Sequence, residues 1–347
     1  MNCELNYIMS WWQALILGII QGLTEFIPVS SSGHLILTRE IVGVGNTYDF
    51  MLFDLILHIA TLAAIGIVMR KDIAALFRKP FKVALFIIIA TIPVVIVGFL
   101  LGDIIRVYLF SATYLWIFFL ITATILITSE MVEKKLSPKG LAKATINDIK
   151  EYWKNKNVWM PLDYKPSEAE MYELEEVPQV DVKNKKEGTE STQGEATPVT
   201  AAAKTKKPEY LPDLKLKHAL AMGGMQMLAA LPGISRSGST IFGGVVTNGK
   251  RKTIAKFSFL MSIPVILGAT VLDVLQGIIS EEPSFTAANI SWYGYVLGAI
   301  FSFIAGIFAI KVMLKLISKA DFKWFSLYMF TLSIITFFVF FLPYVRG

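Results

Sequence analysis

Six uninterrupted apolar runs constrain this chain more than any other feature. Each is roughly 20 residues, enough to cross the ~30 Å hydrocarbon core of a bilayer. They cover residues 51–69, 81–101, 110–128, 254–278, 292–313 and 325–342. Two further runs, residues 11–37 and 218–246, are interrupted by prolines, glycines and polar side chains. Apolar residues make up 54% of the 347 and charged ones 17%, with a mean hydropathy of +0.57. No soluble domain needs that composition, so the class is polytopic membrane protein. The sole cysteine, Cys3, excludes an internal disulfide framework and stands too close to Met1 for a lipoprotein signal. The first apolar run passes straight into polar sequence, so no cleavable signal peptide is expected.

A net charge of +6 raises the question of a polyanionic partner. Its distribution answers it. Arg70, Lys71, Arg78, Lys79 and Lys82 form one cluster, Lys250, Arg251, Lys252 and Lys256 a second, and Lys311, Lys315, Lys319 and Lys323 a third. Each falls between apolar runs, the pattern of cytoplasmic loops. None carries the interleaved aromatics on which nucleic-acid bases stack. Nucleic acid is therefore not an expected partner.

The two halves read as repeats. A slide of 205 residues puts Gly18 on Gly223, Gln21 on Gln226 and residues 30–33 on 235–238, and a slide of 204 puts Phe53 on Phe257 and His58 on Ser262. If each interrupted run enters and leaves by one face, each repeat crosses three times and the second is inverted. That arrangement gathers the three basic clusters on one side and places Glu281 and Glu282 on the other; a kinked crossing would separate the first two clusters. The expected fold is an all-α polytopic membrane protein with six transmembrane helices plus two re-entrant helix pairs in an inverted-topology repeat. Residues 1–129 form the first repeat, 130–217 a polar insert and 218–347 the second repeat. The basic loops and the insert are expected in the cytoplasm and both termini outside. Within the insert, residues 141–159 suit a surface helix carrying Trp153 and Trp159. Residues 166–208 have the composition of a disordered segment.

The interruptions carry the chemistry. They read QGLTEFIPVSSSGHLIL at residues 21–37 and LPGISRSGST at 231–240. Non-helical backbone survives at membrane depth only when buried in protein or lining a wet cavity. Pro28 breaks the first run, and Pro232 with Gly233 breaks the second. The serines and glycines at 30–33 and 235–238 then cap new half-helices, expected to start near His34 and Ser239. Two half-helix N-termini in a membrane make an anion-binding arrangement. Arg236 adds a planar fork suited to phosphate oxygens, although a ligand-free salt bridge to Glu25 would also account for it. Gln21 and Glu25 share a helix face. Beside a phosphate, Glu25 must be protonated, paired with Arg236 or bridged by a metal. Mg²⁺ accepts one or two carboxylates plus substrate phosphates, while no His or Cys cluster builds a full protein cage. His34 could serve there as acid, base or nucleophile. Asp54 and His58 share a face as a packing pair or as support behind the site, and Asp273 reads as interfacial. These residues call for a phosphate-bearing ligand held in the membrane, and leave cleavage and transport both open.

The two motifs resemble the signatures of the undecaprenyl-diphosphate phosphatase family, the bacitracin-resistance lipid phosphatases. The stretches FDLILHIATL at 53–62 and FSFLMSIPVILGA at 257–269 are similar to that family as well. The resemblance spans the chain apart from the insert. It implies hydrolysis of undecaprenyl diphosphate to undecaprenyl phosphate and phosphate, recycling the carrier lipid of bacterial cell-wall synthesis in the cytoplasmic membrane. It further implies a pocket toward the outer face, with Mg²⁺ or Ca²⁺ as cofactor. Carried over, Glu25, Ser31, His34 and Arg236 are the functional core, and Glu25 is the metal ligand. Gln21, Ser30, Ser32, Gly33, Ser235, Ser237, Gly238 and Thr240 bind substrate, with Asp54 and His58 behind them. Ser31 or His34 attacks phosphorus, or His34 activates a water. Gln21 stands where many members carry Glu, which weakens any two-carboxylate metal site. The expected partners are the prenyl lipid and the bilayer, with a homodimer allowed. The rival reading is a polyprenyl-phosphate flippase or anion transporter using the same pocket. Such a carrier needs the anion seat but neither Ser31 nor His34 as a reacting group.

Overall fold

The computed structural model of the chain describes residues 9–44, 50–136, 210–279, 290–317 and 321–346. Cys3, the surface helix expected at 141–159, the segment 166–208 and the Glu281–Glu282 pair lie outside the described residues. Among the described residues every named element is helical, apart from one isolated bridge joining Met9 to Ile290. The first half holds α1 (Trp11–Phe26), α2 (Ser31–Val42), α3 (Met51–Val68), α4 (Arg70–Leu76), α5 (Lys82–Leu109) and α6 (Leu115–Leu136). The second holds α7 (Leu216–Gln226), α8 (Arg236–Val246), α9 (Arg251–Ile279), α10 (Trp292–Leu316) and α11 (Phe322–Thr336). A π turn at Phe337–Phe341 joins α11 to α12 (Leu342–Arg346).

Five of these helices are long and apolar enough to cross a membrane, and six if α3 and α4, bent by 82° at their junction, count as one span. The protein is thus a multi-pass membrane protein. Outward faces such as Leu85, Ile88, Ile92, Ile96 and Phe99 of α5 are apolar and exposed, as a lipid-facing surface must be. The helices of the interrupted runs are different. At 16, 12, 11 and 11 residues, α1, α2, α7 and α8 reach only about 16–24 Å at 1.5 Å per residue, short of a crossing.

The breaks follow from the prolines. Before Pro28, Ile27 turns to φ −75°, ψ 140°, and before Pro232, Leu231 turns to φ −80°, ψ 132°. Clash with a proline ring forces that extended conformation on the residue ahead of it. The new half-helices then start at Ser31 and Arg236, three residues earlier than expected from the sequence. One serine is a sufficient cap: Ser30 Oγ accepts from Gly33 N at 3.3 Å and Ser235 Oγ from Gly238 N at 3.1 Å. The remaining serines fall inside the first turn.

Packing is reciprocal between the halves. Helix α1 lies along α10, which also packs on α3, while α7 lies along α5, which also packs on α9. The first helix of each interrupted run therefore rests on a long helix of the other half. Two glycines permit this. A Cβ on Gly18 would stand 2.4 Å from the Gly298 carbonyl oxygen, and one on Gly223 2.6 Å from that of Ala90. In lipid, where burial between helices gains no hydrophobic free energy, such close backbone approach is a main source of cohesion.

The three basic segments meet at one end of this unit. Lys256 pairs with Asp72 of α4 at 2.8 Å, and Tyr210 donates to the same carboxylate at 2.8 Å. Burial first, then the Asp72 carboxylate, push the Tyr210 hydroxyl's pKa far up. Arg251 pairs with Glu130 and Glu133, donates to the Ile317 carbonyl and sits 4.4 Å over the Phe322 ring. These bonds draw the start of α9 together with α4, the end of α6 and the α10–α11 turn.

Candidate active site

The two breaks interlock. Gly233 N donates to Ser32 Oγ at 3.3 Å, and Ser237 Oγ donates to the Ile27 carbonyl at 3.3 Å, so each loop is pinned by a serine of the other. Thr122 of α6 clamps the second loop, donating to the Gly233 carbonyl and accepting from Ser235 N, both at 3.1 Å. A Cβ on Gly33 would stand 2.9 Å from Gly233 Cα and 2.4 Å from the Phe119 ring, so the approach needs glycine there. Gly233 itself sits at φ 91°, where a side chain is strained. The two half-helix N-termini are thereby fixed side by side.

They open on a cavity of about 780 Å³. Its polar residues include Glu25, Ser30, Ser31, Ser32, Arg39, Asp54, His58, Ser235 and Arg236, and its walls are mainly apolar residues of α5 and α9 such as Val95, Ile105, Ile266 and Val271, with Asp273 of α9 among them. The centre of the polar set is Glu25. Its Oε1 accepts from Arg236 Nη2 at 2.9 Å, and its Oε2 accepts from Ser31 Oγ at 2.7 Å and Gln21 Nε2 at 3.0 Å. His58 Nε2 stands 3.9 Å from the same Oε2. Because the His58 ring donates Nδ1–H to the Asp54 carbonyl at 2.7 Å, its Nε2 is turned toward the carboxylate. The salt bridge that would account for Arg236 without a ligand is therefore present, and both its members line the cavity.

Several expected site residues stand elsewhere. His34 does not line the cavity. Its Nδ1–H donates to the Ser30 carbonyl and its Nε2 accepts from the Tyr328 hydroxyl, both at 2.7 Å, with the ring stacked on Tyr328. Both nitrogens are engaged behind the serine wall. Gln21 is wholly buried, reaching the site only through Glu25, and its Oε1 has no hydrogen-bond partner. Ser237 is spent on the Ile27 carbonyl. Gly238 N serves the Ser235 cap, and Thr240 Oγ1 bonds the Arg236 carbonyl and Ser258. Asp54 and His58 do share a face, yet their side chains do not bond each other: Asp54 pairs with Arg39 while His58 faces Glu25. Arg39 joins these residues with no motif to mark it. The signal for it was a guanidinium two residues past an interrupted apolar run, where an arginine needs a fixed partner.

The donor set for a cation is thin. Among the described residues no group of three or more His, Cys, Asp or Glu side chains could hold a metal ion. Asp54 is taken by Arg39, and Glu25, which accepts from Arg236, Ser31 and Gln21, keeps only one of its roughly four lone-pair sites beside the Ser31 hydroxyl oxygen. These fit a hard cation that arrives on phosphate oxygens, since Mg²⁺ needs only one or two carboxylates in that setting.

A family model described as bacitracin resistance protein BacA matches residues 14–155 and 193–335. An undecaprenyl-diphosphatase of Carboxydothermus hydrogenoformans is 32% identical over 327 residues, covering 94% of this chain and 96% of the relative. That of Alkaliphilus metalliredigens is 30% identical over 345 residues, covering 94% and 97%. Undecaprenyl-diphosphatase 1 of Bacillus thuringiensis subsp. konkukian is 31% identical over 330 residues, covering 93% and 95%.

Proposed function

The chain belongs to the bacitracin resistance protein BacA family, and on that premise we propose that it hydrolyses undecaprenyl diphosphate to undecaprenyl phosphate and inorganic phosphate. The reaction recycles the carrier lipid for cell-wall synthesis, which is how such an enzyme confers bacitracin resistance. One observation carries the reading: a single cavity joins apolar walls to a polar end where two half-helix N-termini, Arg236 and the Ser31–Glu25 pair converge. A prenyl chain suits the walls and a diphosphate suits the end.

In this mechanism the terminal phosphate lies against the N–H groups of α2 and α8 and the Arg236 fork, whose charges are fixed before the reaction begins. Ser31 donates its hydroxyl hydrogen to Glu25, which leaves the oxygen's lone pairs free to face phosphorus. Serine attack breaks the bridging P–O bond, passes the hydroxyl proton to Glu25 and releases the lipid monophosphate. Water then attacks phosphorus and breaks the serine O–P bond, Glu25 returning its proton to the Ser31 oxygen, which gives inorganic phosphate and restores both side chains. The negative charge on the transferring group is met by Arg236 and the N–H groups. Mg²⁺ or Ca²⁺, held by Glu25 and the diphosphate oxygens, would add charge neutralisation there. His34, with both nitrogens bonded, fixes the capping turn that presents Ser31.

The fold reading goes with it: six crossings and two re-entrant pairs, with residues 1–129 and 218–347 as inverted repeats around the insert 130–217. The short half-helices and the reciprocal packing of α1 on α10 and α7 on α5 support it. The meeting of the basic segments at one end supports a cytoplasmic placement for them and the insert, with both termini outside in the bacterial inner membrane. A homodimer remains the assembly to test by mass in detergent. A flippase would need the same anion seat but gives the Ser31–Glu25 contact no task. Phosphate release from a polyprenyl diphosphate by the purified full chain decides. Release that stops in Arg236→Ala while lipid binding persists is expected. Wild-type protein that binds the lipid and releases nothing would favour the flippase.

A further inference from the structure

Arg39 is 2% exposed and lines the same cavity as Ser31, Glu25 and Arg236. It is among the largest fully buried side chains of the protein. Its Nη2 holds the Asp54 carboxylate, while its Nε has no hydrogen-bond partner. A guanidinium presents five donors in a rigid fork, and burying one of them unsatisfied calls for an explanation in a native site. The cap of α2 spends none of that fork, since Val44 N bonds the Arg39 backbone carbonyl rather than its side chain. Position matters equally. Ser31 and Arg39 share α2, eight residues or about 12 Å apart along the axis. Helical side chains lean toward the N-terminus, which brings the guanidinium back toward Ser31. Asp54, its partner, lies one turn of α3 from His58, which stands 3.9 Å from Glu25. Arg236, Glu25, His58, Asp54 and Arg39 all line the cavity, where two guanidinium–carboxylate pairs, Arg236–Glu25 and Arg39–Asp54, flank His58.

Resting on the diphosphatase reading, we propose that Arg39 is the seat of the second phosphate, the one that stays on the prenyl chain and departs as the lipid monophosphate. Arg236 takes the terminal phosphate and Arg39 the other, so that two arginines match two phosphorus centres. Asp54 keeps one edge of Arg39 occupied and fixes its plane, leaving the other amine for phosphate oxygens, with Nε shielded behind it. The leaving group gathers charge as the bridging bond breaks, and Arg39 meets that charge. The seat also selects for a diphosphate over a lipid monophosphate as substrate, because a single phosphate can fill only one of the two forks. Product would accordingly bind at Arg39 and inorganic phosphate at Arg236.

The test is product inhibition and product binding in the full-length detergent-solubilised chain. Two variants are used: Arg39→Lys, which keeps the charge but not the fork, and the double variant Arg39→Met with Asp54→Asn, which removes both buried charges together and keeps neither orphaned. A short-chain polyprenyl monophosphate and inorganic phosphate are the two probes. Losing a charge-assisted contact weakens binding about ten- to a hundred-fold. We expect that loss for the polyprenyl monophosphate in the double variant, a smaller loss in Arg39→Lys, and no change for inorganic phosphate. Equal weakening of both probes, or no change in either, would overturn the assignment. Direct binding of the two probes is measured beside turnover. If wild-type protein released no phosphate, the diphosphatase reading would fall, yet the binding arm would still decide whether Arg39 seats a lipid phosphate.

Discussion

The two interrupted runs use one scaffold for opposite charges. At matched positions 205 residues apart, Ser30 and Ser235 cap Gly33 N and Gly238 N. Ser30 also approaches Ser32 at 3.5 Å, as Ser235 approaches Ser237 at 3.3 Å. Ser32 and Ser237 each bond the backbone of the opposite loop. The match ends at the first helical residue, where the first half has Ser31 and the second Arg236. The acid is also unshared: Glu25 falls opposite Ala230. The two loops present alike capped, anion-facing ends, and one adds the hydroxyl and carboxylate while the other adds the cation. Each buried charge is tolerable because the other half supplies its counter-charge across the loops.

Single substitutions break that division of roles, with the largest effect at Ser31. Removing the hydroxyl in Ser31→Ala is expected to lower turnover by about 10³-fold or more, as loss of a nucleophile does, with lipid binding retained; a scintillation or phosphate-release assay measures it. Arg236→Lys keeps the charge but not the fork, and a loss of about 10²–10³ in kcat is expected from the weakened stabilisation of the transferring phosphate. Glu25→Gln leaves a buried guanidinium without its counter-charge. A destabilisation of about 3–5 kcal/mol is typical for half of a buried pair, and thermal unfolding in detergent would show it beside lost activity. Restoring the pair across the halves, with Arg at 25 and Glu at 236, would recover stability but not turnover, since Ser31 would face a guanidinium.

Smaller effects test the likeness of the halves rather than their difference. Gly18→Ala and Gly223→Ala each force a backbone contact apart, and about 1–3 kcal/mol is expected from each. Similar losses in the two would match the reciprocal packing; a cost in only one would break it. The caps come last: Ser30→Ala and Ser235→Ala should each cost about 1 kcal/mol.

Much of this was legible in the sequence, for physical reasons that can be named. Prolines inside apolar runs announce breaks, and Ile27 and Leu231 duly leave the helix ahead of them. Glu25 and Arg236 could be matched because neither is affordable alone at that depth. His34 adjoins the serines in sequence but is not on their face of the helix. Ser31, Ser32, Leu35, Ile36 and Arg39 all line the cavity, a stripe at helical spacing that excludes His34. Which stripe faces inward is fixed by packing of α2 on α1 and by Phe119, and chain-distant contacts leave no local trace. Asp54 and His58 fail differently. Four-residue spacing says that two side chains share a face, but not which neighbour each will choose, and here they choose Arg39 and Glu25.

The most direct test is phosphate release from undecaprenyl diphosphate by the purified chain, wild type beside Ser31→Ala, with lipid binding followed in parallel. The account predicts steady release by the wild type, and none above background from a variant that still binds the lipid. Release by Ser31→Ala at the wild-type rate would contradict it, because the cavity's one hydroxyl bonded to Glu25 would then have no part in the chemistry.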